Sequence, residues 1–201
     1  DLVTGVQTCA LPISDRLLED GWLTTDDVGE LPSFPTEFVL FEDVSAFKMA
    51  LLEKAWHRFK KGASPSEQDR FEAYCAQQAR WLDDWALFES IKSDHDELEW
   101  MTWPAALRDR DPAALMAYES GHADAIRMRK FWQFVFESQW HDLKAYCNER
   151  GIRIFGDLPI YVAQDSADVW ANRHLFTLDE SGHPTTIAGV PPDYFSETGQ
   201  R

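Results

Sequence analysis

Residues 151–201 read GIRIFGDLPIYVAQDSADVWANRHLFTLDESGHPTTIAGVPPDYFSETGQR, and the reading of the whole chain turns on this stretch. It opens on Ile152, Ile154 and Phe155, a β-branched and aromatic run that predicts a buried strand over 152–155. The run passes into Gly156-Asp157-Leu158-Pro159, where the proline bars continued pairing. A carboxylate is thereby placed at the carboxyl end of a strand, where α/β enzymes build their sites. Asp157 is the first functional candidate, with an Asx-turn that holds the strand exit as its alternative role.

Further along, Ser166 is placed to cap a short helix running through Trp170. That tryptophan follows an Asp165-Ser166-Ala167-Asp168-Val169 run, and its indole suits either the apolar face of a pyranose or a protein core. Residues 175–178 and 184–188 flank Asp179-Glu180-Ser181-Gly182, a four-residue hairpin turn. Gly189-Val190-Pro191-Pro192-Asp193-Tyr194-Phe195-Ser196-Glu197 follows. Two prolines stiffen its entry, and its aromatic pair and carboxylates are costly to leave on a surface unless they meet something.

Upstream, the pattern is helical. The Thr24 and Thr25 hydroxyls, ahead of Asp26 and Asp27, are placed to cap a short helix over 24–28. From Ser45, apolar residues recur at helical spacing from Phe47 to Phe59, and Lys60, Lys61 and Gly62 make a favourable end. Ser64-Pro65-Ser66-Glu67 supplies a capping box for a helix running towards Ile91. Residues 93–100 read as an acidic loop, with a helical turn or two over 103–108. Asp111-Pro112 begins the longest periodic segment, which reaches Glu149 before Arg150-Gly151 stops it. A helix passing through glycine into a strand is half of a βα repeat. Trp56, Trp81, Trp85, Trp132 and Trp140 sit within helical patterns and are core candidates.

With 201 residues, 44% of them hydrophobic and 27% charged, the chain can bury a sizeable core. A formal charge of -16 repels phosphate backbones and anionic lipid, so neither nucleic acid nor a membrane is expected as partner, whereas a neutral glucan is indifferent to it. Three scattered cysteines, Cys9, Cys75 and Cys147, read as free thiols in a reducing compartment, with the cytoplasm as default. No run reaches transmembrane length. The histidines lack zinc-ligand spacing, there is no phosphate-cradling glycine loop, and adjacent Asp83 and Asp84 point about 100° apart on a helix, so no metal site is expected.

The motifs GDLPIYVAQDSADVWAN and AGVPPDYFSETGQR closely resemble the 4-α-glucanotransferases called amylomaltases, glycoside hydrolase family 77, and the similarity extends more weakly back to about Asp15. The resemblance implies an α/β fold class: a partial (β/α)8 TIM barrel with a large helical insertion, helix-rich as truncated. It implies transfer of α-1,4-glucan segments between maltooligosaccharides through a retaining covalent intermediate, with no cofactor. Retention needs two carboxyl groups roughly 5 Å apart. In the family the nucleophilic Asp, the acid/base Glu and a third Asp lie on later barrel strands, so the chain is expected to be an internal fragment without a catalytic residue, and inactive alone. Asp157 then binds substrate near the reacting sugar. Asp193, Tyr194, Phe195 and Glu197 match a mobile loop over the acceptor side of the groove, with packing on the barrel rim as the alternative for the aromatics. Trp170 completes the substrate-binding set.

Residues 1–14, DLVTGVQTCALPIS, resemble a sequencing-adapter read translated in frame and are expected to be an artefactual leader. The expected divisions are that leader, a helical insertion region over 15–110, and a long helix, barrel strand and substrate loop over 111–201. Two other readings stand beside the transferase: a non-catalytic carbohydrate-binding or interaction module, and a fragment of an α-amylase-clan hydrolase. Saturable maltooligosaccharide binding with cooperative unfolding would mark the first, and release of reducing ends without longer products the second.

Overall fold

The computed structural model describes residues 14–30, 32–35, 37–156, 161–186, 189, 191, 192, 194 and 197. Helix α1 covers Ser14–Glu19 and α2 covers Thr25–Val28. The backbone N–H and hydroxyl of Thr24 donate to the Asp27 carboxylate at 2.8 and 2.6 Å, and the Asp27 N–H donates back to the Thr24 hydroxyl. Each partner thus satisfies a donor that the helix start leaves open. Helix α3, Phe41–Gly62, begins earlier than the expected Ser45, with Glu42 and Asp43 in its first turn where the helix dipole favours negative charge. Helix α4, Pro65–Asp94, starts on the anticipated capping box, the Ser64 N–H donating to Glu67 at 2.7 Å.

A 3₁₀ turn at Trp100–Thr102 leads to α5, Ala105–Arg108, and then to α6, Pro112–Gly121, and α7, Ala123–Glu149. The sequence predicts one periodic segment where the structure has these last two helices. The break is at His122, whose backbone leaves the helical region at φ -122° and ψ 23°. Its ring stacks on Tyr118 with centroids 4.0 Å apart, and Nδ1 lies 2.9 Å from the Tyr118 carbonyl. Apolar periodicity continues through the break and so does not reveal it.

Helix α7 ends on Gly151 at φ +70°, with the Ile152 N–H donating to the Cys147 carbonyl and the Gly151 N–H to that of Asn148. This paired arrangement is the Schellman stop, and its left-handed residue explains the glycine. Residues 152–156 then carry no ladder, contrary to the predicted strand. A strand requires a neighbour for its backbone groups. No described segment supplies one, and the Phe155 side chain is 98% exposed. The expected hairpin is likewise reduced to one antiparallel bridge, Leu178 to Pro184. Among the described residues the regular structure is helix-rich, as expected, with no strand of the expected partial barrel.

Helix α8, Ala167–Ala171, and a second 3₁₀ turn, Arg173–Leu175, complete the elements. The described residues divide into two compact units: residues 14–86 with 123–156, and residues 87–122 with those beyond 161. In the first unit, α3, α4 and α7 bury an aromatic core. Trp22 packs on Phe59 and Phe131 at 5.4 Å each, and Phe59 on Phe131 at 4.8 Å. Trp56 and Trp85 are buried there as expected, whereas Trp81 is 39% exposed, its N–H donating to Gln78 at 2.8 Å. Cys75 and Cys147 are free thiols. Burial pushes the Cys75 thiol up to about 11. Among the described residues no helix is long and apolar enough to cross a membrane.

Candidate functional site

The second unit carries most of the functional stretch, and its local order begins at Ser166. The Ser166 hydroxyl accepts from the Val169 N–H at 3.4 Å and donates to the Ala163 carbonyl at 2.5 Å. It therefore starts α8 and fixes the entering chain together. Helix α8 delivers Trp170 into the unit's core, where the side chain is fully buried. Phe88 lies 5.8 Å and Trp103 5.9 Å from its ring, and the Arg110 guanidinium sits 4.2 Å above it. The indole N–H donates to the Leu107 carbonyl at 3.1 Å. Both apolar and polar needs of the ring are met within the fold, which leaves no face open to a pyranose.

Trp100 organises the same unit from the other side. Its indole N–H donates to the Gln164 carbonyl at 2.8 Å, and its backbone N–H to Asp165 at 3.2 Å. Lys92 closes an ion pair on the second Asp165 oxygen. Gly182, in the turn, stands so close that a Cβ there would lie 2.2 Å from the indole. One buried tryptophan thus ties residues 164 and 165 to the 179–183 turn.

Electrostatics reinforce this frame. Asp109 accepts from Arg108 at 2.8 Å and from Arg173 at 2.8 Å, and these partners, Arg108 foremost, hold its carboxyl down to about 2. Asp179 accepts the N–H groups of Ser181 and His183 at 2.9 Å each. Those bonds, that from His183 first, hold its pKa below the usual carboxylate range. Among the described residues no three His, Cys, Asp or Glu side chains gather into a group that could hold a metal.

Of the six residues singled out from sequence, Asp157, Asp193 and Phe195 lie outside the described residues. Tyr194 is 96% exposed and Glu197 is exposed, so both side chains are accessible. Trp170 is the one in the core. Sequence reasoning missed Trp100, Asp165 and Arg173. Trp100 closes a polar stretch that reads as a loop, and only its size, costly to expose, signalled burial.

The profile of the 4-α-glucanotransferases matches residues 3–201. The chain belongs to that family. It is 46% identical over 185 residues to the 4-α-glucanotransferase of Thermus thermophilus, a match covering 92% of this chain and 36% of that protein. The family member of Synechocystis sp. is 42% identical over 187 residues, covering 92% and 37%. An amylomaltase from Streptococcus agalactiae, solved in complex with acarbose, superposes with a TM-score of 0.86 at 33% identity, over 94% of this chain and 38% of the other. The chain therefore spans little more than a third of the length of the family members it matches.

Proposed function

We propose that this chain forms part of the glucan-binding groove of a retaining 4-α-glucanotransferase, which moves α-1,4-linked segments between maltooligosaccharides. The observation that carries the reading is the match to the family along almost the whole chain. In this reading residues 152–155, which carry no ladder in this chain alone, gain strand partners in a complete (β/α)8 barrel, and Asp157 beyond them accepts hydrogen bonds from sugar hydroxyls near the reacting centre. Asp193, Tyr194, Phe195 and Glu197 form a loop that admits the acceptor sugar while restricting water, which favours transfer over hydrolysis. The exposure of Tyr194 supports that role. Trp170 supports the groove from within, by packing rather than by touching sugar. The nucleophile and the acid/base are assigned to no residue of this chain, and no cofactor enters the reaction. Free thiols at Cys75 and Cys147 accord with a reducing compartment, the cytoplasm by default.

The test uses maltotriose. In the complete enzyme, Tyr194→Ala and Asp193→Asn lower the ratio of longer oligosaccharides to free glucose released by water. An unchanged ratio overturns the loop assignment. The 201-residue chain alone is expected to bind maltooligosaccharides without disproportionating them, and cooperative unfolding with binding but no effect of these residues in the complete enzyme would favour a binding module instead.

A further inference from the structure

Resting on the glucanotransferase reading above, we propose that Lys92 and Trp100 are positioning residues for the acceptor side of the transfer reaction. They touch no sugar, and they hold the frame from which residues 189–197 depart. Lys92 lies in the last turn of α4 and pairs with one Asp165 oxygen at 2.5 Å. The other Asp165 oxygen accepts from the Trp100 backbone N–H, and the Gln164 carbonyl accepts from the Trp100 indole. The same indole meets the later turn. Gly182 abuts its six-membered ring, and Arg173 lies 5.2 Å over it while donating to the Glu180 carbonyl at 3.1 Å.

These contacts direct the chain more than they build the core. Ser166 starts α8 with its own hydroxyl, so the cap does not depend on the Lys92 and Asp165 pair. Tyr161 and Val162, just ahead of the held residues, are 59% and 47% exposed. That segment buries little of its own surface, and its course is set by the polar bonds at 164 and 165. Desolvating a largely buried ion pair offsets most of its attraction, which leaves fixed geometry as its main contribution. From the held turn the frame continues towards the loop. The Thr185 N–H donates to the Thr177 carbonyl at 2.9 Å, and the Thr177 and Thr186 hydroxyls lie 2.7 Å apart. Gly189 follows three residues later and opens the stretch that carries the exposed Tyr194. A loop meets its sugar only in molecules whose frame is in register, and apparent affinity falls with that fraction. Acceptor binding is therefore the step that depends on Lys92 and Trp100, whereas donor cleavage uses carboxylates assigned to no residue of this chain.

The experiment uses the complete enzyme, with maltohexaose as saturating donor and labelled glucose as the varied acceptor. Lys92→Met and Asp165→Asn are each expected to raise the acceptor KM roughly fivefold, about the loss of one hydrogen bond, and to raise the share of donor lost to water. The donor KM stays unchanged. The double variant should be no worse than either single one, because both remove the same bond, and Lys92→Arg should keep the acceptor KM of the parent. Trp100→Phe keeps a ring beside Gly182 but loses the N–H to Gln164, and it should raise the acceptor KM likewise. A merely structural role would lower the melting temperature and leave both KM values alone in the folded enzyme, and that result overturns the proposal. Equal rises in donor and acceptor KM, or additive effects in the double variant, overturn it too. Should Lys92→Met fail to fold, Asp165→Asn, which still offers an acceptor to the Trp100 N–H, carries the same comparison. If Tyr194→Ala alters product ratios while Lys92→Met and Asp165→Asn leave the acceptor KM unchanged, this inference falls and the loop assignment stands. If those two variants raise the acceptor KM while Tyr194→Ala is silent, the positioning role stands and the assignment of Tyr194 falls.

Discussion

Gly182 abuts the six-membered ring of Trp100, with a Cβ at that position falling 2.2 Å from Cη2 and 2.6 Å from Cζ3. The glycine also holds φ at +89°, in the region that side chains disfavour. Gly182→Ala should therefore cost about 2 kcal/mol or more, from overpacking against a fully buried indole and from backbone strain. Denaturant unfolding followed by tryptophan fluorescence measures it, and a loss within a few tenths of a kcal/mol would refute the contact.

Trp170 gives a sharper contrast. As a buried core residue it should lose about 3–5 kcal/mol on truncation to alanine. A tryptophan displayed to sugars would leave stability almost untouched and lose affinity instead. Calorimetric melting of Trp170→Ala beside maltohexaose titration separates the two.

Acid should weaken the fold through Asp27 and Asp109. The Thr24 hydroxyl first, then the Thr24 N–H and Arg58, hold Asp27 down to about 2, and Arg108 and Arg173 do the same for Asp109, against a usual 3.8. Both folded values lie below the unfolded ones, so their stabilisation is complete above about pH 4 and drains away as pH falls towards 2. Both groups are solvent-accessible, which keeps the effect modest and salt-sensitive. Asp27→Asn and Asp109→Asn should flatten the acid limb of a stability profile; a limb unchanged in both variants would contradict the assignment.

Ser64→Ala should cost about 1 kcal/mol by removing the α4 cap. Glu67→Gln should do comparable harm, because Glu67 accepts from Ser64 and from the Trp22 N–H at 3.1 Å. Helix-end amide exchange checks both: faster exchange at Ser64 and Glu67, with the centre of α4 unaffected, is the expected pattern.

What could be read from sequence was mostly local. Ser64 with Glu67, Ser166 ahead of Val169 and Gly151 after α7 each act within a few residues and begin or end helices as their chemistry dictates, and of the two threonines that could cap the short helix before Val28 the structure uses Thr24. Pairing across the chain was not legible in that way. Ile152 and Ile154 have the composition of a strand, but composition names no partner, and the described residues offer none. His122 breaks a helix whose apolar pattern continues undisturbed. In the candidate site, an indole that suits a sugar equally suits a core, so Trp170 could be placed by neither periodicity nor composition. Trp100 was hidden by the acidic loop before it, although Asp165 and Gly182 sixty and more residues later depend on it.

The boundaries of the two compact units fall near residues 86, 122 and 157, so each unit is assembled from separated lengths of chain. Synthesis from the N-terminus would present α3 and the first half of α4 long before α7 emerges to cover their aromatic faces. The first unit cannot close until its last helix is made, and meanwhile Phe59, Phe71 and Trp56 stay without the Phe131 that packs against them. Contacts that wait on a distant helix lengthen the exposure of apolar surface during synthesis. For this chain the vulnerable interval on the ribosome ends near residue 150, and the demand on chaperones is set by topology rather than by final stability.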